Sequence, residues 1–248
     1  MGSVVVVIPA RYESTRLPGK PLADLQGKPM IQCVYERAAR AEGIDRVVVA
    51  TDDVRIRQAV EGFGGEVVMT SSSHRTGTDR IAEASGELDA EFIVNVQGDL
   101  PLLDPKVVSD AVAPLLGDDT FHMSTLKTPI RNAEELQNPN VVKVVTDRDG
   151  AALYFTRSPI PYWRDGAPEG EILAHRHIGL YVYRRDFLMT FSRLAPTPLE
   201  QAESLEQLRA LEWGFRIRVV EVEEASVEVD TPEDLEKARA LLGRQAAI

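Results

Sequence analysis

Cysteine is nearly missing from this chain: Cys33 stands alone among 248 residues. No intrachain disulfide can form, so a disulfide-stapled scaffold is excluded. Cys33 lies among apolar residues of a predicted helix, where a thiol reads as a small buried hydrophobe rather than a nucleophile. Long apolar runs are missing as well. The longest near the start, Val4–Ile8, is strand-sized and far short of the ~20 residues that span a bilayer. No charged segment leads into a long apolar one, as an export signal requires, so the expected location is cytoplasmic, without a membrane partner. Basic charge is scarce: 28 Lys and Arg against 39 Asp and Glu leave a net charge of −11. General nucleic-acid binding needs a basic face to displace counterions, and this balance argues against it. A small polyphosphate is not barred, because local charge governs a site. Two phosphate-binding patterns are also absent from the first loop, G-x-x-x-x-G-K-[ST] and G-x-G-x-x-G.

What is present is an alternation of strand-like and helix-like segments, in a composition ordinary for a globular chain. Val4–Ile8 is a continuous β-branched run, the pattern of a strand buried on both faces. A polar loop from Ala10 to Lys28 follows, long for a strand-to-helix connection, and Pro29 opens a helix to about Arg40. Strands are then predicted at Arg46–Thr51, Glu66–Thr70 and Glu91–Gln97, with helices at Val54–Phe63, Thr78–Ser85 and Pro105–Leu116. This order implies an α/β fold with an open, mainly parallel sheet, in which ligands bind beyond the carboxyl ends of the strands. The second half reads differently. Strands are expected at Phe121–Pro129, Val141–Thr146, Ala152–Thr156, His177–Tyr183 and Arg216–Glu221, and helices at Leu199–Trp213 and Pro232–Leu242. Thr231 is the expected cap of the last helix. No linker is visible, so residues 1–248 are expected to form one domain with a smaller inserted lobe at roughly 122–215.

Four clusters carry chemistry. IPARYESTRLPGKPL (Ile8 to Leu22) places Arg11, Arg16 and Lys20 on a loop after a buried strand. Two fork-shaped guanidiniums and one point charge there suit a triphosphate. VNVQGDLP (Val94 to Pro101) puts Asp99 just past a strand, where one carboxylate can hold Mg²⁺ against phosphate oxygens; a turn aspartate is the plainer alternative. VEVDTPEDL (Val227 to Leu235) repeats the arrangement at Asp230, which could instead be a helix cap. The fourth group comprises Arg157 and Arg164 around Ser158–Pro161, His177 and Tyr181 in HIGLY, and Glu200, Glu203, Glu206 and Gln207 on one predicted helix. On a strand, His177, Gly179 and Tyr181 share a face. Arginines with a histidine suit a carboxylate; Tyr, Glu and Gln suit hydroxyls.

With these segments in hand, the chain resembles the 3-deoxy-manno-octulosonate cytidylyltransferases from about Val4 to Leu242. HRTGTDR (His74 to Arg80), NPNVVKVV (Asn138 to Val145), ALYFTRSPIP (Ala152 to Pro161), HIGLYVYR (His177 to Arg184) and PLEQAESLEQLRALEWG (Pro198 to Gly214) extend the likeness. The resemblance implies a nucleotide-diphospho-sugar transferase-like domain whose smaller lobe also serves a homodimer. It implies Mg²⁺-dependent transfer of CMP from CTP to the sugar acid Kdo, for lipopolysaccharide synthesis. Arg11, Arg16 and Lys20 would then contact the triphosphate. Pro9, Ala10, Arg11, Thr76, Gly77, Arg80 and Gln97 would line the nucleotide site. Asp99 and Asp230 would hold magnesium, and Arg157, Arg164, His177, Tyr181, Glu206 and Gln207 would shape the sugar pocket. One position departs from the family pattern: Leu100 stands where a glutamate is usual. Another acidic sugar, such as a sialic acid or 8-amino-Kdo, and a catalytically silent nucleotide binder are the alternative readings.

Overall fold

The computed structural model describes residues 2–13, 17–166, 170, 172–223 and 228–245. The chain divides into two compact units, 1–109 joined by 226–248, and 110–225. The second is wider at both ends than the lobe expected from sequence.

The first unit opens with β1 (Val4–Ala10), whose valines and Ile8 are buried. A one-turn 3₁₀ segment at Lys20–Leu22 and a two-residue ladder of β2 (Asp24–Leu25) and β3 (Lys28–Pro29) lead into α1 (Met30–Ala38). Then come β4 (Arg46–Thr51), α2 (Val54–Gly62), β5 (Glu66–Met69), α3 (Gly77–Gly86), β6 (Phe92–Asn95) and α4 (Pro105–Gly117), the last carrying the chain into the second unit. β1 pairs in parallel with both β4 and β6, and β4 with β5. Caps fix the helix starts: Asp53 accepts from Arg55 N at 2.8 Å and Thr76 from Asp79 N at 3.1 Å. Both answer N–H groups that the first turn leaves unpaired.

In the second unit the elements are β7 (Met123–Ile130), α5 (Ala133–Gln137), β8 (Lys143–Thr146), β9 (Ala152–Thr156), β10 (Ala174–Arg184), α6 (Arg185–Phe191), α7 (Pro198–Glu203), α8 (Gln207–Glu212) and β11 (Ile217–Glu221). β7 lies between β10, antiparallel, and β11, parallel. β8 pairs antiparallel with β10 and β9. Two expectations are corrected here. The predicted helix Leu199–Trp213 is two helices, because Ser204 takes a left-handed conformation (φ 52°) and Leu205 N closes the turn on Glu200 O at 3.2 Å. And β10 is not a plain alternating strand. Ile178 faces Leu126 but Tyr181 faces Thr125, so Gly179 and Leu180 bulge out of the register.

The chain then returns to the first unit as α9 (Pro232–Gln245). Leu235 and Ala238 of this helix complete a cluster with Leu25, Met30, Cys33 and Val229. Cys33 is a buried packing residue, as read from sequence, and burial, then the Glu36 charge, pushes its thiol pKa up.

Candidate active site

In the first unit the loop after β1 is closed by Gly19 N donating to Tyr12 O at 3.0 Å. Gly19 sits at φ 69°, and a Cβ there would lie 3.3 Å from the Tyr12 ring. The Arg55 guanidinium stacks 3.3 Å from that ring's centroid. Gly19→Ala is therefore expected to lower stability by about 1–2 kcal/mol, the range for a residue with a side chain forced to positive φ. Urea denaturation checks this.

The closed loop delivers Lys20 to the two carboxylates singled out above. Lys20 Nζ lies 2.7 Å from Asp99 Oδ2 and 3.1 Å from Asp230 Oδ1. The carboxylates are partly exposed, at 25% and 33%. Main chain sets their proximity, for Val229 N donates to Asp99 O at 2.9 Å. Capping does not occupy Asp230: Thr231 Oγ1 accepts from Asp234 N at 3.2 Å, and the Asp234 carboxylate answers Thr231 N and Oγ1. Among the described residues no group of three or more His, Cys, Asp or Glu forms a metal cage. Two adjacent carboxylates fit magnesium, which keeps most of its shell as water and phosphate. Leu100 is buried and adds no carboxylate.

The expected nucleotide residues of the first unit make the following contacts. Gly98 and Gly77 both abut Pro9: added Cβ atoms would lie 3.3 Å from its carbonyl oxygen and 3.5 Å from its ring. Arg11 donates to Arg75 O at 3.1 Å and Thr76 O at 2.8 Å, tying β1's end to the start of α3. Ala10 is buried at the end of β1, and Gln97 donates to Asn95 Oδ1 at 3.0 Å. Arg80 is fully buried. Its Nη1 donates to Thr70 Oγ1 at 2.5 Å, and Nη2 lies 3.1 Å from Asp52 Oδ1 but off the hydrogen-bond axis. Nε and Nη2 thus have no hydrogen-bond partner, although Nη2 keeps its ion pair with Asp52. Burial, partly offset by Asp52 and reinforced by Arg11, lowers the Arg80 pKa. A buried cation with spare donors attracts an anion or a carbonyl. Arg16 lies outside the described residues. Asp52 and Thr70 were not singled out from sequence, since neither belongs to a motif.

The second unit holds the residues expected of the sugar pocket, and it sorts them. Glu200 is taken by the buried Arg209, at 2.8 and 2.5 Å. Glu203 accepts from Thr156 Oγ1 and Arg157 N at 2.6 and 2.9 Å. Burial pushes the Glu203 carboxyl up, but these bonds and the Arg157 charge outweigh it and hold its pKa low. Arg157 donates to the carbonyls of Glu203, Pro139 and Ser204, which pins two turns. Arg164 is exposed on the turn Trp163–Gly166. His177 is enclosed by Phe155 (ring centroids 4.9 Å apart) and Tyr181 (5.5 Å). Glu206 is close enough to Tyr181 to add to the effect of burial, which raises that phenol's pKa. Gln207 is 4% exposed, and its Nε2 has no partner. A buried amide donor left open is costly unless something else fills it. Lys143 was not foreseen. It is fully buried and donates to Asn138 O, Val141 O and Arg157 O at 3.0, 2.6 and 2.5 Å.

His177 gives a pH prediction. Burial, then the Arg176 charge, pushes its pKa down to about 3, whereas an unfolded histidine titrates near 6.5. Between those values the unfolded chain binds the extra proton, so stability falls as pH falls and the loss levels off below pH 3. Roughly 3 kcal/mol should be lost from this group between pH 7 and pH 4. Urea melts at both pH values should show His177→Gln losing less than the parent by that amount. An equal loss in both proteins would refute it.

Residues 5–219 match the family model described as cytidylyltransferase. A protein named 3-deoxy-manno-octulosonate cytidylyltransferase from Geobacter metallireducens is 56% identical, over 97% of this chain and 98% of its own. One of the same name from Syntrophotalea carbinolica is 59% identical, over 97% and 98%. A solved structure described as CMP:2-keto-3-deoxy-manno-octonic acid synthetase complexed with CTP superposes with a TM-score of 0.93 at 47% identity, over 98% of this chain and 99% of that one.

Proposed function

The chain belongs to the 3-deoxy-manno-octulosonate cytidylyltransferases, and from that premise we propose that it transfers CMP from CTP to the anomeric hydroxyl of Kdo and releases pyrophosphate. The observation that carries the reading is the cluster beyond the strands of the first unit, where Lys20 bridges Asp99 and Asp230. A cation held between two carboxylates at a strand end is a ready site for a metal–triphosphate, which brings both a divalent cation for the acids and an anion for the lysine.

The protein does little covalent work in such a displacement. Positioning and neutralisation of charge supply the acceleration. Arg11, Arg16 and Lys20 would meet the phosphates, with Lys20 exchanging its carboxylate partners for phosphate oxygens as the leaving pyrophosphate gains charge. Thr76, Gly77, Arg80 and Gln97 would hold the cytidine, Arg80 offering the donors it leaves unused. Asp99 and Asp230 would hold Mg²⁺, which when bound withdraws charge from the α-phosphate and lowers the pKa of a hydroxyl beside it. In the second unit, Tyr181, Glu206 and Gln207 would bind sugar hydroxyls. Gln207 Nε2 is a donor in want of an acceptor.

Supply of an activated sugar for lipopolysaccharide is the role this reading implies, in the cytoplasm where CTP is found. No helix among the described residues is long and apolar enough to cross a membrane. A homodimer belongs to the same reading. Leu153, Leu199 and Trp213 of the second unit are exposed apolar groups that a second copy would cover.

Pyrophosphate release from CTP and Mg²⁺ tests the assignment, with Kdo, 8-amino-Kdo and a sialic acid offered separately. Release with Kdo is expected. Release with only another sugar would keep the chemistry and move the specificity, and CTP binding without release would mean a silent homologue.

A further inference from the structure

One proton decides what His177 can offer a ligand. Thr125 Oγ1 lies 3.1 Å from Ile178 O, 2.8 Å from Leu180 O and 2.9 Å from His177 Nε2. A hydroxyl carries a single hydrogen, and a carbonyl can only accept. That hydrogen is committed to the two carbonyls, with Leu180 O the nearer. The remaining contact is a hydrogen bond only if Nε2 supplies the proton. Were Nε2 the acceptor, both carbonyls would lose the threonine's hydrogen. Thr125 is fully buried, so water does not relax the constraint.

The bulge in β10 creates this arrangement. In an unbroken ladder the Ile178 and Leu180 carbonyls would not both turn to one side chain of the facing strand. Here Thr125 is the residue opposite the register shift, and its hydroxyl serves both. The consequence falls on the other ring nitrogen. With the proton on Nε2 and the ring neutral, Nδ1 carries a lone pair. Nδ1 has no hydrogen-bond partner among the described residues, and it is not one of the sealed, unpartnered atoms. Burial and Arg176 both oppose a charge on the ring, which agrees with a neutral imidazole.

We propose that Thr125 is a positioning residue that locks His177 as its Nε2–H tautomer, so that the pocket presents the Nδ1 lone pair to a sugar hydroxyl rather than a cation to the sugar's carboxylate. The inference rests on reading this pocket as the acidic-sugar site. It reverses the role that the residue type implies, because the neutral ring spends its one N–H on Thr125 and has none left for a carboxylate. The carboxylate is left to guanidinium groups, and His177 becomes a discriminator for a hydroxyl donor.

The tautomer is read directly by long-range ¹H–¹⁵N NMR on ligand-free, ¹⁵N-labelled protein at pH 7. The expected spectrum has Nε2 protonated and Nδ1 bare. A protonated Nδ1, alone or in an imidazolium, would overturn the proposal. Thr125→Val removes the hydroxyl at nearly constant shape, and Thr125→Ser keeps it. The valine variant should show a mixed tautomer and a KM for Kdo raised about tenfold, the worth of one hydrogen bond, with kcat little changed. The serine variant should behave as the parent in both. An unaltered tautomer in folded Thr125→Val, or equal losses in the serine and valine variants, would sink the positioning role. If the valine variant does not fold, the parent and serine spectra still decide. The tautomer does not depend on turnover, so failure of the pyrophosphate assay counts against the sugar reading alone.

Discussion

Replacing Asp99 with alanine is expected to lower pyrophosphate release from CTP by at least about a thousandfold while the protein stays folded. The two halves of this expectation have separate causes. Asp99 would supply one of two carboxylates for the metal, and a magnesium site with so few protein ligands has no spare. The structural role of position 99, by contrast, runs through main chain: Val229 N bonds to Asp99 O, and that bond survives the loss of the side chain. The side chain's own contribution is the pair with Lys20, at 25% exposure. A partly solvated pair contributes roughly 1 kcal/mol or less. Lys20 also keeps Asp230 at 3.1 Å, so no ammonium is stranded. Steady-state rates with CTP, Mg²⁺ and Kdo should fall by the stated factor, and urea melts should move by no more than about 1 kcal/mol. Asp230→Ala should act in the same direction. An Asp99→Ala protein that turns over at near the parent rate would remove the carboxylate pair from the mechanism.

Some of the architecture is legible in the sequence because its causes are local. β4 reads to the residue, since Arg46–Thr51 is a largely β-branched run bounded by Asp45 and Asp52. β1 reads from its valines, and α9 from Thr231 followed by Pro232. The break between α7 and α8 is not legible. Ser204 takes a left-handed conformation with neither glycine nor asparagine to announce it. The bulge in β10 is hidden for a different reason. HIGLY alternates like an ordinary strand, and the threonine that organises the bulge sits more than fifty residues earlier, in a stretch without a motif. The candidate site divides the same way. Asp99 and Asp230 are legible as carboxylates at strand ends, but their shared partner Lys20 is 79 and 210 residues from them in sequence. Arg157 and Glu203 read as pocket groups by type. In the fold their polar atoms are largely engaged with main chain and with Thr156, which only the packing of α7 against β9's end could reveal.

Lys143→Met should destabilise the fold by about 3 kcal/mol, because it leaves acceptors unanswered rather than merely removing a donor. The ammonium serves three carbonyls at 2.5–3.0 Å, those of Asn138, Val141 and Arg157, and no solvent reaches the residue. Three donors of one cation against three acceptors is a closed set. Burial lowers the Lys143 pKa, and Arg157 adds to the effect, while Glu203 opposes it. The charge is therefore costly to bury, and removing it returns part of that cost. Methionine fills the space without answering any carbonyl, and each unanswered one costs about 1–3 kcal/mol, so the loss outweighs the return. In a chain of this length the deficit corresponds to a fall in Tm of roughly 6–12 °C. The functional consequence follows from where the carbonyls lie. Asn138 and Val141 form the turn whose Pro139 carbonyl receives Arg157, and Arg157 O is the third acceptor. Losing the lysine should loosen Arg157, raising the KM for Kdo more than the KM for CTP. Thermal melts and paired KM measurements check both parts. A variant with an unshifted Tm would show that water or a local rearrangement serves the three carbonyls as well as the ammonium does.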